Sequence, residues 1–205
     1  MIIKFINSKW FARILLVIIF GALAIGVSYL DQKYKKSFPE VASGWSTFTS
    51  SNFGFSIQYP KEYTAEMNYT YSNLGHGKDI FGVSFTIPEN YTTGTNLSDD
   101  SRISVESLPS QTDCSAEPFL DNPQNIQTLT ENGAQYSVAD SVSPAAGNIY
   151  EEKVYALVGS KPCAAIRYFI HSGNIYNYPA GAVKEFDKEK LLKEFDQIRK
   201  TLVIK

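Results

Sequence analysis

Two histidines, His76 and His171, are the side chains that suit a general base in this chain of 205 residues. A serine hydrolase needs such a base and a serine on a strained turn, yet the sequence has no Gly-x-Ser-x-Gly. An exported hydrolase-type enzyme would therefore use His171, together with Glu151 or Arg167. This enzyme hypothesis is the alternative to a binding role.

His171 opens the sequence His171-Ser-Gly-Asn-Ile-Tyr-Asn-Tyr178, and a second Gly-Asn-Ile-Tyr occupies residues 147–150. If the strands beside these two loops pair, both loops lie at one rim of the sheet. A polar and aromatic rim suits a protein, peptide or glycan partner. The simpler interpretation is that Asn and Gly adopt turn conformations while Tyr packs on the sheet edge. We call the following residues the predicted rim: Asn148, Tyr150, Glu151, Arg167, His171, Asn174, Tyr176 and Tyr178.

The only cysteines of the chain are Cys114 and Cys163. We expect a disulfide between them, which on the chain-entropy model stabilises the fold by roughly 4 kcal/mol for a loop of about 50 residues. Two unrelated thiols are the alternative. A metal site is not predicted, because there is no Cys-x-x-Cys, histidine is scarce and the acidic pair Asp99-Asp100 lacks the spacing of a calcium-binding EF-hand.

Sequence motifs for cofactors are absent. The chain contains no glycine-rich phosphate loop, no His-Glu-x-x-His and no dinucleotide fingerprint, so we predict no cofactor. The net charge of −2 gives no basic footprint for nucleic acid, and no nucleic-acid partner is predicted.

The residues from Ile14 to Leu30 are uncharged and strongly apolar. A helix over residues 11–30 is roughly 30 Å long, the thickness of a bilayer's hydrocarbon core, so we predict a transmembrane signal-anchor there and a lipid bilayer as its partner. Cleavage after the A-x-A sequence Ala22-Leu23-Ala24 is one alternative, although it would leave an apolar stub. A buried core helix is the other.

Basic residues before the apolar segment favour a cytoplasmic N-terminus. We therefore predict a cytoplasmic tail over 1–10, the anchor over 11–30, a polar stalk over 31–44 and an extracytoplasmic domain over 45–205, at the cell surface or in the periplasm. Two cysteines in the large domain agree with an oxidising compartment. Lysines after the apolar segment weaken the charge signal.

Alternating apolar residues predict the strands of a mainly antiparallel sheet. The strand predictions cover residues 53–60, 63–71, 81–87, 102–108, 126–131, 134–138, 149–158 and 163–171. Asn132-Gly133 is a two-residue hairpin signal. In the last strand we expect Ala164, Ile166, Tyr168 and Ile170 to face the core, with Arg167 and His171 on the more polar face.

The C-terminal residues predict one amphipathic helix, which Asp187 can cap. Its apolar stripe consists of Leu191, Leu192, Phe195, Ile198 and Leu202. A sheet closed by such a helix is an α+β domain.

Two segments carry a family resemblance. Asn52-Phe-Gly-Phe-Ser-Ile-Gln-Tyr-Pro60 and Phe195-Asp-Gln-Ile-Arg-Lys-Thr-Leu202 resemble the opening strand and closing helix of the PsbP-like family, although Leu202 stands where that family usually has Phe. The resemblance covers about a quarter of the domain and not its middle. It implies an α/β/α sandwich around an antiparallel sheet and a mostly non-enzymatic role. No site residue carries over from the family.

The sequence therefore predicts a membrane-anchored, extracytoplasmic and non-enzymatic binding or accessory module. A structural component of a cell-surface assembly is a further alternative. The pair Ala22 and Gly26 gives the anchor one small-xxx-small contact for such an assembly.

Overall fold

A computed structural model describes residues 43–204. The predicted tail, the predicted anchor and all but the last two residues of the predicted stalk lie outside the described residues. Among residues 43–204, no helix has both the length and the apolar character needed to cross a membrane.

Ten strands and one α-helix make up the described part of the chain. The strands are β1 (Trp45–Ser50), β2 (Phe55–Pro60), β3 (Thr64–Tyr71), β4 (Ile80–Thr86), β5 (Arg102–Leu108), β6 (Gln124–Glu131), β7 (Ala134–Ala145), β8 (Asn148–Leu157), β9 (Cys163–Gly173) and β10 (Val203–Ile204). The helix α1 spans Lys188–Arg199. Short 3-10 helices span Glu89–Tyr91, Glu117–Phe119 and Ile175–Asn177.

Seven strands form a large antiparallel sheet in the order β3-β4-β5-β9-β8-β7-β6. The β6–β7 hairpin turns at Asn132 and Gly133, whose φ angles of 52° and 81° are those of a type I′ turn. The remaining strands form a small antiparallel sheet in the order β1-β2-β10.

The main core lies between the large sheet, the small sheet and α1. One face of the large sheet, which we call the apolar face, contributes Val83, Phe85, Ile103, Ile166 and Tyr168. Tyr59 of β2 packs on Phe85 with ring centroids 4.5 Å apart, and Phe195 of α1 packs on Tyr168 at 5.3 Å. The apolar stripes of β2 and α1 are therefore buried on the same sheet face.

The opposite face of the large sheet, which we call the charged face, carries Glu106, Glu152 and Arg167. Residues 109–123 cross this face as an irregular segment. The Cys114–Cys163 disulfide, with Cα atoms 5.0 Å apart, ties that segment to β9. Buried Phe119 and Leu120 complete the attachment.

Most sequence predictions of the fold are confirmed. The strands agree with the predicted ranges to within two residues, except that β7 continues to Ala145, well beyond the predicted end at residue 138. The disulfide forms, and Asp187 caps α1 by accepting a hydrogen bond from the Lys190 amide at 2.9 Å. The domain is mostly β-sheet with one α-helix. The second helical layer of an α/β/α sandwich is not found within residues 43–204, because the irregular segment 109–123 covers that face instead.

Two short strands at the domain ends were not predicted. β1 was missed because Trp45–Ser50 has few apolar residues, and β10 because it is only two residues long. The two segments that carry the family resemblance contact each other through β2. The hydroxyl of Thr201, just after α1, accepts from the Gln58 amide at 2.8 Å and donates to the Gln58 carbonyl at 3.2 Å.

Candidate functional site

Pairing of β8 with β9 brings the two loops that contain Gly-Asn-Ile-Tyr together at one end of the large sheet. Tyr150 lies opposite His171, and Asn148 lies opposite Gly173. The Gly147 carbonyl accepts hydrogen bonds from the Asn174 amide and from the Asn177 side chain, both at 2.9 Å. The β7–β8 turn and the segment after β9 therefore form one connected end of the sheet.

His171 is held from two sides at this end. Its ring stacks on Tyr150 with centroids 4.3 Å apart and planes inclined by 22°. Its Nδ1 lies 2.7 Å from Oδ1 of Asp100. The Nε2 atom is buried and has no hydrogen-bond partner among the described residues. A ring fixed by stacking and by a carboxylate has one defined orientation.

The segment that follows β9 presents two tyrosines. The Asn174 side chain accepts from the Tyr176 amide at 3.1 Å and so caps the short helix Ile175–Asn177. Tyr176 is 92% exposed, and Tyr178 is 38% exposed. The Tyr178 ring lies directly over Gly173, since a Cβ added there would come within 2.2 Å of the Tyr178 hydroxyl. Glycine at 173 therefore makes room for this ring.

Six residues of the predicted rim thus lie at one end of the sheet. We call this set the tyrosine rim: Asn148, Tyr150, His171, Asn174, Tyr176 and Tyr178.

A second row of side chains adjoins the tyrosine rim and was not predicted. The Arg102 guanidinium lies over the Phe169 ring, 4.0 Å from its centroid, and its Nε donates to the Tyr69 hydroxyl at 3.1 Å. The ring centroids of Phe169 and Tyr150 are in turn 6.2 Å apart. Burial, the largest influence, raises the pKa of Tyr69 to about 12, so its hydroxyl keeps its proton. The sequence held no local signal for this row, because Arg102 lies opposite Phe169 only through the pairing of β5 with β9.

A shallow recess of about 630 Å³ opens beside this row. Its lining includes Glu66, Asp99, Asp100 and Arg102. Asp100 belongs both to this recess and to the contact with His171. The recess therefore extends the tyrosine rim with a surface on which carboxylates outnumber the single guanidinium.

Arg167 was predicted to lie on the rim, and this prediction is wrong. Its side chain is 0% exposed. Its guanidinium donates to both carboxylate oxygens of Glu106 at 2.9 Å, to Glu152, and to the Phe119 carbonyl at 2.7 Å, and it lies 3.6 Å from the centroid of the Tyr71 ring. We call Glu106, Glu152, Arg167 and Tyr71 the buried ionic cluster. Arg167 is buried because segment 109–123 covers it and because the Glu106 carboxylate of β5 forms an ion pair with it.

The electrostatics of the buried ionic cluster favour a charged Arg167. Burial, the largest single influence, disfavours a charged guanidinium, but Glu106, Glu152 and Tyr71 together outweigh it and raise the pKa of Arg167 above its ordinary value. Burial, opposed by Arg167 and reinforced by Glu152, raises the pKa of Tyr71. The Tyr71 hydroxyl donates to Glu152 at 2.8 Å. The arrangement satisfies a buried ion pair and fixes segment 109–123.

Glu151 was also predicted to lie on the rim, and this too is wrong. Successive residues of a strand alternate between faces, so Glu151 and Glu152 point to opposite sides of the large sheet. Glu151 is bound to Lys188 of α1 on the other side.

The grouping that the enzyme hypothesis required is therefore not formed. His171 contacts Asp100, Arg167 contacts Glu106 and Glu152, and Glu151 contacts Lys188. Within residues 43–204, no three histidine, cysteine, aspartate or glutamate side chains are grouped so as to hold a metal ion.

Comparisons with known proteins give structural neighbours only. No protein-family model matches the chain, and no curated protein matches it. The chain is similar to a crystal structure from Bacteroides thetaiotaomicron VPI-5482, with 11% sequence identity, a TM-score of 0.43 and coverage of 78% of this chain. It spans about half of that protein, 48% of its length.

The chain is also similar to the solution structure of cyanobacterial PsbP from Synechocystis sp. PCC 6803. The sequence identity is 11%, the TM-score is 0.43, and the match covers 81% of this chain and 95% of that one. A PsbP structure is thus among the structural neighbours of this chain.

Proposed function

We propose that this protein is a membrane-tethered, extracytoplasmic and non-enzymatic binding or accessory module that contacts a protein partner through its tyrosine rim. The observation that carries the proposal is the exposure of Tyr176, which is 92% exposed at one end of the large sheet. Tyrosine combines a large apolar surface with a hydroxyl, and it is enriched at protein interfaces for that reason.

The turn that bears Tyr176 is held by hydrogen bonds within itself and to the neighbouring hairpin. The Asn174 cap and the bond from Asn177 to Gly147 anchor it to the neighbouring hairpin. Association is weakened when loops must be ordered on binding, so a fixed turn loses less free energy than a mobile one. Stacked Tyr150 and His171 give the contact surface a rigid base.

Three features support the cellular setting that we propose. The apolar residues 11–30 have the length of a membrane anchor. The Cys114–Cys163 disulfide suits an oxidising compartment. The resemblance of residues 52–60 and 195–202 to the PsbP-like family, most of whose members are not enzymes, agrees with an accessory role. Membership of that family is part of the proposal.

The proposal is tested by purifying the tagged full chain from native membranes under mild detergent. We expect a specific protein to be recovered with the wild-type chain and lost with Tyr176→Ala. Ile126→Ala is the matched control, because Ile126 is 55% exposed on β6 and lies outside the tyrosine rim. Equal recovery with Tyr176→Ala, or no recovered protein at all, would contradict the proposal.

The predicted topology has its own test. A reporter fused after Lys205 is expected to be active only outside the cytoplasm. Cys114 and Cys163 are expected to resist alkylation in native material until a reductant is added. A cytoplasmic reporter signal would remove the membrane-tethered part of the proposal.

A further inference from the structure

Strand β1 ends the small sheet with an open edge. Within residues 43–204, β1 pairs with β2 alone. The Lys61 amide donates to the Gly44 carbonyl at 3.0 Å, which fixes the hydrogen-bonded positions of this pair at alternate residues. The backbone N–H and C=O groups of Trp45, Thr47 and Thr49 therefore point away from β2.

The edges of the large sheet are protected, whereas β1 is not. Edge strands usually carry charges, prolines or bulges that prevent pairing with another chain. β3 has Glu66 and a bulge between Glu66 and Tyr69, and β6 has a bulge between Gln124 and Gln127. The sequence of β1, WSTFTS, has no charge and no proline, and its register with β2 is continuous.

The open edge of β1 stands beside an exposed apolar floor. A groove of about 800 Å³ separates β1 and the following residues 51–53 from β3 and β4. Met67 and Phe81 line it and are 63% and 57% exposed. The small sheet thus stops one strand short of covering this part of the large sheet.

The chemistry of this groove selects an uncharged occupant. None of the residues that line the groove, within the described part of the chain, is charged. A charged side chain entering it would lose water without meeting an opposite charge. Regularly spaced outward amides and carbonyls match an extended polypeptide backbone, which is the mode of recognition called strand addition.

We propose that the edge of β1 accepts an extended, uncharged strand from a partner polypeptide. The added strand becomes the fourth of the small sheet and bonds to Trp45, Thr47 and Thr49. Its alternate apolar side chains cover Met67 and Phe81. This site lies apart from the tyrosine rim and does not depend on the function proposed for that rim.

The test measures binding of a fluorescent, end-blocked nine-residue peptide that alternates Thr with Val and Phe. Anisotropy of the peptide is followed as the full chain is added. Thr47→Pro removes one outward N–H without touching a β1–β2 hydrogen bond, and proline is tolerated at a sheet edge in that orientation. Thr47→Val keeps the amide and is the matched control.

We expect the wild-type chain and Thr47→Val to bind the peptide alike, and Thr47→Pro to weaken binding by about tenfold or more. Phe81→Lys should weaken it similarly by placing a charge on the floor, and a peptide with proline at alternate positions should not bind. Equal binding by Thr47→Pro, or no binding by wild type, would overturn the proposal.

Two other occupants are distinguished by the same assay. Dimerisation of the full chain that Thr47→Pro abolishes would show that a second copy fills the groove. Peptide binding that is seen only after residues 1–42 are removed would show that the chain's own N-terminal segment fills it. Either result would overturn a partner strand as the occupant.

Discussion

The apolar face of the large sheet buries aliphatic side chains and aromatic rings, whereas its charged face buries a guanidinium between two carboxylates. Each face has one buried arginine nearby. Arg167 on the charged face bonds to Glu106, which is as fully buried as itself. Arg199 of α1, beside the apolar face, lies over the Tyr155 ring and bonds to Glu131, which is partly exposed.

The difference between the two faces lies in what each loses when a side chain is removed. Shortening an apolar side chain removes buried apolar area and leaves a cavity, and the resulting loss of stability is local. Removing one partner from a buried ion pair leaves a charge without compensation, and the cost is larger. The charged face should therefore respond to substitution far less additively than the apolar face.

The largest effect should come from Arg167→Met. The Glu106 carboxylate would remain buried without its cation, so we expect the free energy of unfolding to fall by about 3–5 kcal/mol in chemical denaturation. Arg199→Met is the matched control and should cost less, because Glu131 can be hydrated. Adding Glu106→Leu to Arg167→Met should restore part of the loss. A loss below about 1 kcal/mol for Arg167→Met would contradict the role given to the cluster.

Loss of the disulfide should have the next largest effect. Replacing Cys114 and Cys163 by Ser together should lower the free energy of unfolding by about 2–4 kcal/mol. Segment 109–123 should then exchange its amide hydrogens faster, while α1 remains protected. Faster exchange in α1 alone would be the opposite of this expectation.

A conservative change in the apolar core should have a smaller effect. Ile166→Val removes one methylene from a fully buried position, and we expect a cost of about 0.5–1.5 kcal/mol. Combined with Ile103→Val on the neighbouring strand, the loss should depart from the sum of the two single losses by less than the departure found for Arg167→Met with Glu106→Leu. Calorimetry of the single and double variants measures this, and a strongly non-additive result would erase the contrast between the faces.

The smallest effect should come from the pH dependence of Glu131. Partial burial alone would raise the pKa of Glu131, but hydrogen bonds from Arg199 and Lys200 lower it below its ordinary value. The resulting stabilisation is present above the unfolded pKa of about 4.3 and is lost as the pH falls through the lower folded-state pKa. Its size should not exceed about 1 kcal/mol, since the pair is partly exposed.

Glu131→Gln should remove this pH dependence. The difference in stability between wild type and the variant should be present at pH 7 and should shrink on acidification below about pH 4. A difference that grows with acid would show that Glu131 is not held in its charged form by Arg199.

Features set by local periodicity could be predicted from the sequence. The alternation in β9, the Asn132-Gly133 turn and the stripe on α1 each depend on neighbours a few residues away. Arg167 could not be placed in the same way, because its burial depends on Glu106 and Phe119, which are 61 and 48 residues distant. One signal was available within β5. Ile103 and Val105 alternate with Ser104 and Glu106, which indicates that the two faces of this strand differ in polarity.

The tyrosine rim was predictable only in part, for a related reason. Its tyrosines and asparagines lie in two loops whose strands pair directly, and this pairing could be anticipated. Asp100 and Arg102 come from β5 and the loop before it, so they joined the site only through long-range pairing. The prediction for Glu151 was wrong because successive residues of a strand point to opposite faces, which separates Glu151 from Tyr150. This alternation could have been read from the sequence.

The most direct measurement is photo-crosslinking from residue 176 of the full chain in native membranes. A photoreactive phenylalanine analogue replaces Tyr176 in one variant and Ile126, which is also exposed, in the other. The proposed function predicts a discrete protein adduct from position 176 and none from position 126. The same adducts from both positions, or none from position 176, would contradict it.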